Sequence, residues 1–305
     1  MLIEQAFILL PEILHGSGYQ QQNYEAGLVG AFSLALLQAL NGHNTPNPIG
    51  CLQHERLYRA NGAYEGAQNP RYLRTDLFLD IGRLYVANRR LSQYGWRHHA
   101  WLEAKFLRNQ AGANGNTHSG NKTAHAAAFL ADLIRLAALV PETAELSHAA
   151  RYFLHVYDAD PRFYLPSRGK SWFRSLTTAG RQDLEIANLQ NESQTLRNLL
   201  GDLEGYSLSA KVTNLVLEPI DTQHRPVYHC ILTRLDSFTC TVGADQISLS
   251  SQRNFQSAPA GAVDRVAAFV ASRLHIKAGS AEEVEPVEAD PPEEVAAAAP
   301  VEQPN

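Results

Sequence analysis

Residues 101–106 read Trp-Leu-Glu-Ala-Lys-Phe, an alternation of period two that suits a strand. Successive side chains of a strand point to opposite faces. Trp101, Glu103 and Lys105 therefore share one face, and Ala100, Leu102, Ala104 and Phe106 form an apolar back. Residues 75–81, Thr-Asp-Leu-Phe-Leu-Asp-Ile, repeat the pattern upstream. There Asp76, Phe78 and Asp80 share a face, while Leu77, Leu79 and Ile81 line the other. Two neighbouring strands backed this way require a sheet covered by a further layer. Their front face gathers carboxylates and an ammonium. Carboxylate oxygens suit Mg²⁺, and a lysine can stabilise a reacting phosphate.

The register between the two strands stays open at this level. A hairpin centred near 91–92 sets Asp80 opposite Glu103, and one centred near 89–90 sets Asp76 there. Both acids also have an ordinary reading, as partners of nearby arginines on a solvated sheet face. Lys105 has one as a surface lysine in a salt bridge.

The arrangement of Asp76 or Asp80 followed by Glu103-Ala104-Lys105 resembles the PD-(D/E)xK nuclease superfamily, the restriction-endonuclease-like fold. The resemblance covers roughly residues 23–165. It departs at one point: Thr75 and Leu79, not proline, precede the two aspartates. The resemblance implies an α/β fold, a central mixed β-sheet flanked by helices, built on an αβββαβ core. It implies Mg²⁺ (or Mn²⁺) as cofactor and DNA as substrate, with Asp76, Glu103 and Lys105 catalytic. Asp76, Asp80 and Glu103 would hold the metal, helped by the Ala104 carbonyl. Arg74-Thr75-Asp76 is similar to the family's Arg-x-Asp at a strand start, which favours Asp76. Glu25 resembles an auxiliary acid that some members carry early in a helix, although acids favour helix N-termini in any case. A bacterial restriction or phage-defence enzyme is one placement. A catalytically inactive DNA-binding or scaffolding subunit of a larger complex is the alternative. Dimerisation would supply one site per DNA strand, and nothing in the sequence demands it.

Charge distribution bears on the partner. Of the acids behind the net charge of −5, eight fall in residues 277–305 beside the single base Lys277. Across residues 71–122 the balance reverses, with nine bases against three acids, and those three are Asp76, Asp80 and Glu103. A basic surface around an acidic nest suits a polyanion held by its phosphates. Arg74, Arg108 and Lys122 are candidates for that contact. So are Arg168, Lys170 and Trp172, in the stretch 162–174 where bases alternate with aromatics. An aromatic at the end of a strand is also ordinary core. Arg135 could reach a phosphate or pair with nearby Asp132. His98 and His99 stand before the Glu-x-Lys strand and read as exposed strand-end residues. The chain lacks GxxxxGK[ST], a Ser nucleophile elbow and HExxH.

The periodicities predict one domain over residues 1–276, a core of about 23–165 with an extension 166–276, and a disordered tail over 277–305 rich in Ala, Pro and Glu. An apolar start at 6–14 is broken by Pro11. A helix is expected over 24–40, an element of either type over 52–58, and strands over 73–86, bent at Gly82, and 98–107. A Gly/Asn-rich loop covers 110–121. A helix over 123–139, a strand over 152–157, a polar helix over 184–203, strands over 211–217, 227–234 and 238–242, and a last helix over 263–274 follow. No apolar run reaches membrane-spanning length. The N-terminus lacks the basic segment of a signal peptide, and Cys51, Cys230 and Cys240 are odd in number and widely spaced, which points to the cytoplasm.

Overall fold

The structure, a computed structural model, describes residues 2–16, 24–58, 74–82, 99–107, 122–138, 140, 149–161, 164, 171–187, 207–217, 228–242 and 245–250. Helix α1 (Leu2–Gly16) buries Leu2, Ile3, Ala6, Phe7, Leu10 and Leu14, a stripe at helical spacing. Pro11 lies inside this helix and does not break it. Its ring removes one backbone hydrogen bond, and burial of the stripe outweighs that loss. Helix α2 (Glu25–Gly42) buries residues on several sides, because α1 covers one flank and the sheet the other.

A short 3₁₀ turn (Pro48–Cys51) leads into β1 (Leu52–Leu57), followed by β2 (Arg74–Asp80) and β3 (His99–Leu107). Helix α3 (Lys122–Ala138) connects β3 to β4 (Ala149–Tyr157). Helix α4 (Ser171–Thr177), β5 (Gly180–Ile186), β6 (Ser207–Leu217), β7 (His229–Val242) and β8 (Asp245–Ser250) complete the described elements. The sheet has eight strands in the order β1-β2-β3-β4-β7-β6-β5, with β8 also on β7. It is mixed: β3 and β4 run parallel, and every other pair is antiparallel. β4 is the most enclosed strand, buried at all nine positions, as expected for a strand covered on both faces.

Two apolar clusters sandwich the sheet. One joins α1 and α2 to Leu77, Leu79, Ala100, Leu102, Ala104 and Leu154. The other joins α3 and α4 to Phe78, Trp101, Phe153, Tyr157 and the inner face of β6 and β7. The result is a three-layer α/β arrangement. The alternation expected of residues 75–81 and 100–106 is the one that splits these residues between the two layers.

Further expectations need correction, and the strand expected over 73–86 ends at Asp80, before Gly82. Residues 180–186 form strand β5, where a helix was expected from 184. Leu184 and Ile186 are buried and Glu185 is exposed, the alternation of a strand, and Gly180 opens it with φ +84°. β7 runs unbroken where two strands were expected, and β8 was not foreseen. The loop 110–121, the helix 263–274 and the tail 277–305 lie outside the described residues. Among the described residues no helix is long and apolar enough to cross a membrane.

Candidate active site

β2 and β3 pair with Leu77 opposite Leu102, Phe78 opposite Trp101, Leu79 opposite Ala100 and Asp80 opposite His99. One step further, this register sets Asp76 against Glu103. Of the two registers the sequence left open, the structure has the one centred near 89–90. The backbone ladder stops at Leu77 and Leu102, and side chains take over. The Ala104 N–H donates to Asp76 Oδ2 at 2.7 Å. Thr75 Oγ1 donates to the Leu102 carbonyl, also at 2.7 Å. The Asp76 carboxylate is thus tied to the Glu-x-Lys strand at its central residue.

Glu103 is 1% exposed, and its Oε1 accepts a hydrogen bond from the Tyr58 hydroxyl. Lys105 Nζ lies 2.9 Å from Glu25 Oε1 and 3.0 Å from Asp132 Oδ2. Asp132 Oδ1 in turn meets Arg135 Nη1 at 2.9 Å. Four carboxyl groups therefore converge from α2, β2, β3 and α3, with two cations among them. Glu25 keeps a side-chain exposure of 42% against 3% for Asp132, so the cluster opens to solvent on the α2 side.

Burial pushes the Asp76 carboxyl up to about 6, against the pull of Lys105 and the Ala104 N–H; Asp132 and Glu25 add to the rise. Glu103 is held well above the carboxylate range by burial, then by Asp132 and Asp76, with Arg135 opposing. Burial works against charge on Lys105, yet Asp132, Glu25 and Asp76 more than reverse it and raise its pKa. Arg135 is raised likewise, against burial, by Asp132, Glu103, Tyr58 and Asp76. The cluster holds four carboxyl groups against two cations, and this crowding adds to burial in raising Asp76 and Glu103.

The oxygen donors of the cluster are of the type that a hard divalent cation takes. Mg²⁺ prefers oxygen and is usually held by one or two carboxylates plus water. Asp76 lies near enough to Glu103 to raise its pKa, and the two would be the carboxyl ligands. Among the described residues no group of three or more His, Cys, Asp or Glu side chains is arranged to hold a metal ion.

Other candidates fall elsewhere. Asp80 shares the face of Asp76 but lies four residues along β2, about 13 Å at the usual rise of a strand. It pairs with His99 Nε2 at 3.3 Å and accepts the Gly82 N–H at 2.9 Å. The structure does not bring it to Glu103, which corrects its reading as a ligand shared with that residue. Trp172 is 2% exposed and stacks on Phe173 with ring centroids 4.5 Å apart. It is core, so its reading as a base-stacking residue is also corrected. Arg74 opens β2 on the same face as Asp76, and its buried Nε has no hydrogen-bond partner among the described residues. Lys122 opens α3. Arg108, Arg168 and Lys170 lie outside the described residues.

The sequence reading missed Tyr58 and gave Asp132 only the role of partner to Arg135. A signal for Asp132 existed: it is a lone acid among Phe129, Leu130, Leu133, Ile134 and Leu136, all buried. Comparison of the chain with protein-family models, with curated proteins and with solved structures returns no match.

Proposed function

We propose that the protein is a Mg²⁺-dependent nuclease that hydrolyses phosphodiester bonds in DNA. The observation that carries this reading is the junction of Asp76, Glu103 and Lys105 at the point where the β2–β3 ladder gives way to side-chain contacts. The order α2-β1-β2-β3-α3-β4 supports it, since it is the αβββαβ order implied by the PD-(D/E)xK resemblance. Asp76 and Glu103 would hold the cation. When bound, such an ion polarises a phosphoryl oxygen and makes a water more acidic. Lys105, kept charged by Glu25 and Asp132, would stabilise the negative charge that develops on the phosphate. Arg74, with its unpartnered Nε on the same strand face, would orient the phosphate.

A second reading has its own observation. Glu103 is closed off by Tyr58, and Lys105 is fully engaged by two acids. A satisfied buried network of this kind also suits a non-catalytic scaffold or DNA-binding subunit on the same fold.

Cleavage of plasmid and linear DNA with Mg²⁺ or Mn²⁺ separates the two. The expected result is cutting by the wild type and a loss of about 100-fold or more in Lys105→Ala and Glu103→Ala. DNA binding without cutting by any of the three favours the scaffold. Equal cutting by all three rules out this site as the source of activity.

A further inference from the structure

A regular strand sends residues 54, 56 and 58 to one side. The segment through β1 does not. His54 Nε2 meets Ser33 Oγ of α2 at 2.9 Å. Arg56 Cζ instead lies 3.8 Å over the Phe78 ring, and Tyr58 reaches Glu103, both on the α3 side of the sheet. The switch falls at Glu55, whose φ is +54°. The ladder pairs His54 with Leu77 and Arg56 with Thr75 and skips Glu55 between them.

A non-glycine residue in the left-handed region costs about 1–2 kcal/mol. Such strain persists where the surroundings enforce it. Here Tyr58 supplies the enforcement. It is fully buried and stacks on Trp101, with centroids 5.5 Å apart and rings 11° from parallel. Trp101 and Glu103 are alternate residues of β3 and share a face. A ring stacked on the first brings its hydroxyl to the carboxyl of the second.

We infer that Tyr58 is a positioning residue of the cation site: its hydroxyl orients Glu103 as a ligand for a hard divalent cation, and the left-handed backbone at Glu55 delivers it. This inference rests on the reading of Asp76 and Glu103 as cation ligands. A hydroxyl that hydrogen-bonds a ligating carboxylate fixes its rotamer, and loss of such an outer partner typically weakens metal binding about 10–100-fold.

The test is calorimetric titration of Mn²⁺ alone into the full chain, with thermal unfolding of the same samples. Tyr58→Phe keeps the ring on Trp101 and removes only the hydroxyl. It should bind Mn²⁺ about 10–100-fold more weakly than the wild type, with the unfolding midpoint little changed. Glu103→Ala should lose binding. Glu55→Gly, at home at positive φ, should bind like the wild type. Glu55→Val, which resists that backbone, should weaken binding as Tyr58→Phe does. If Tyr58→Phe matches the wild type while Glu103→Ala has lost binding, Tyr58 only packs and the inference is overturned. If Glu55→Val folds and matches the wild type, the role given to Glu55 falls. A wild type that takes up no Mn²⁺, or a Glu103→Ala variant that binds it unchanged, overturns the cation reading itself and this inference with it.

Discussion

His155 shows how far a single side chain can be specified by its neighbours. It is fully buried in β4. Asn214 Nδ2 donates to the carbonyls of Ser175 and Thr178, so its Oδ1 is left to accept from Thr233 Oγ1. Thr233 therefore accepts from His155 Nε2 at 3.0 Å, and His155 Nδ1 accepts from the Tyr157 hydroxyl at 2.8 Å. The chain of donors fixes a neutral imidazole in one tautomer. Burial lowers its pKa from 6.5 to about 3. Between those values the unfolded chain takes up a proton that the native state refuses. Stability from this residue is intact above about pH 6.5 and falls as the pH drops toward 3. Denaturant unfolding should find about 2 kcal/mol less stability at pH 5 than at pH 7 from this group. His155→Gln should flatten that slope. A slope unchanged by the substitution would show that His155 is not its source.

At the scale of elements, the molecule tolerates a misfit wherever an apolar stripe holds it in place. Pro11 inside α1 is the clearest case. Pro11→Ala restores a backbone donor without disturbing the six buried residues of the stripe. It should stabilise the protein by about 1–3 kcal/mol, read as a higher thermal midpoint. A lower midpoint would mean that the proline ring makes contacts worth more than the hydrogen bond it forfeits. The legibility of the sequence follows the same logic. β2 and β3 could be read because their two faces differ sharply in polarity, which left Asp76, Glu103 and Lys105 visible as a front face. β5 could not, because Arg181, Gln182, Asp183 and Glu185 suit a helix as readily as an edge strand. The register of β2 on β3 was hidden because the residues between the strands do not specify the turn. Tyr58 was hidden more deeply. A backbone torsion at Glu55 decides which face it meets, and no residue type announces that torsion. Trp172 illustrates the opposite error, where an aromatic among bases suggested a ligand contact and packing claimed it instead.

At the scale of the whole molecule, the candidate site is where the two helical layers meet past the end of the β2–β3 ladder. α2 contributes Glu25, α3 contributes Asp132 and Arg135, and Lys105 ties them together. An ion bound there should stabilise the folded state as a unit. At a hundredfold excess over its dissociation constant, a ligand of the native state adds about 2.7 kcal/mol. Saturating Mn²⁺ should therefore raise the thermal midpoint of the wild type by several degrees and leave Glu103→Ala unmoved. Equal shifts in both would place the ion elsewhere. The sheet order has a separate consequence. β1 to β4 and β5 to β8 are each assembled from near neighbours in sequence, and among the described residues β4 with β7 is the one pairing between the two halves. A growing polypeptide finishes β4 about 70 residues before β7 begins, so one rim of its most enclosed strand waits through that interval as an unpaired edge. A ribosome that stalls in that stretch would release a chain whose candidate catalytic residues have all been made, yet whose central strand offers itself to any other strand it meets.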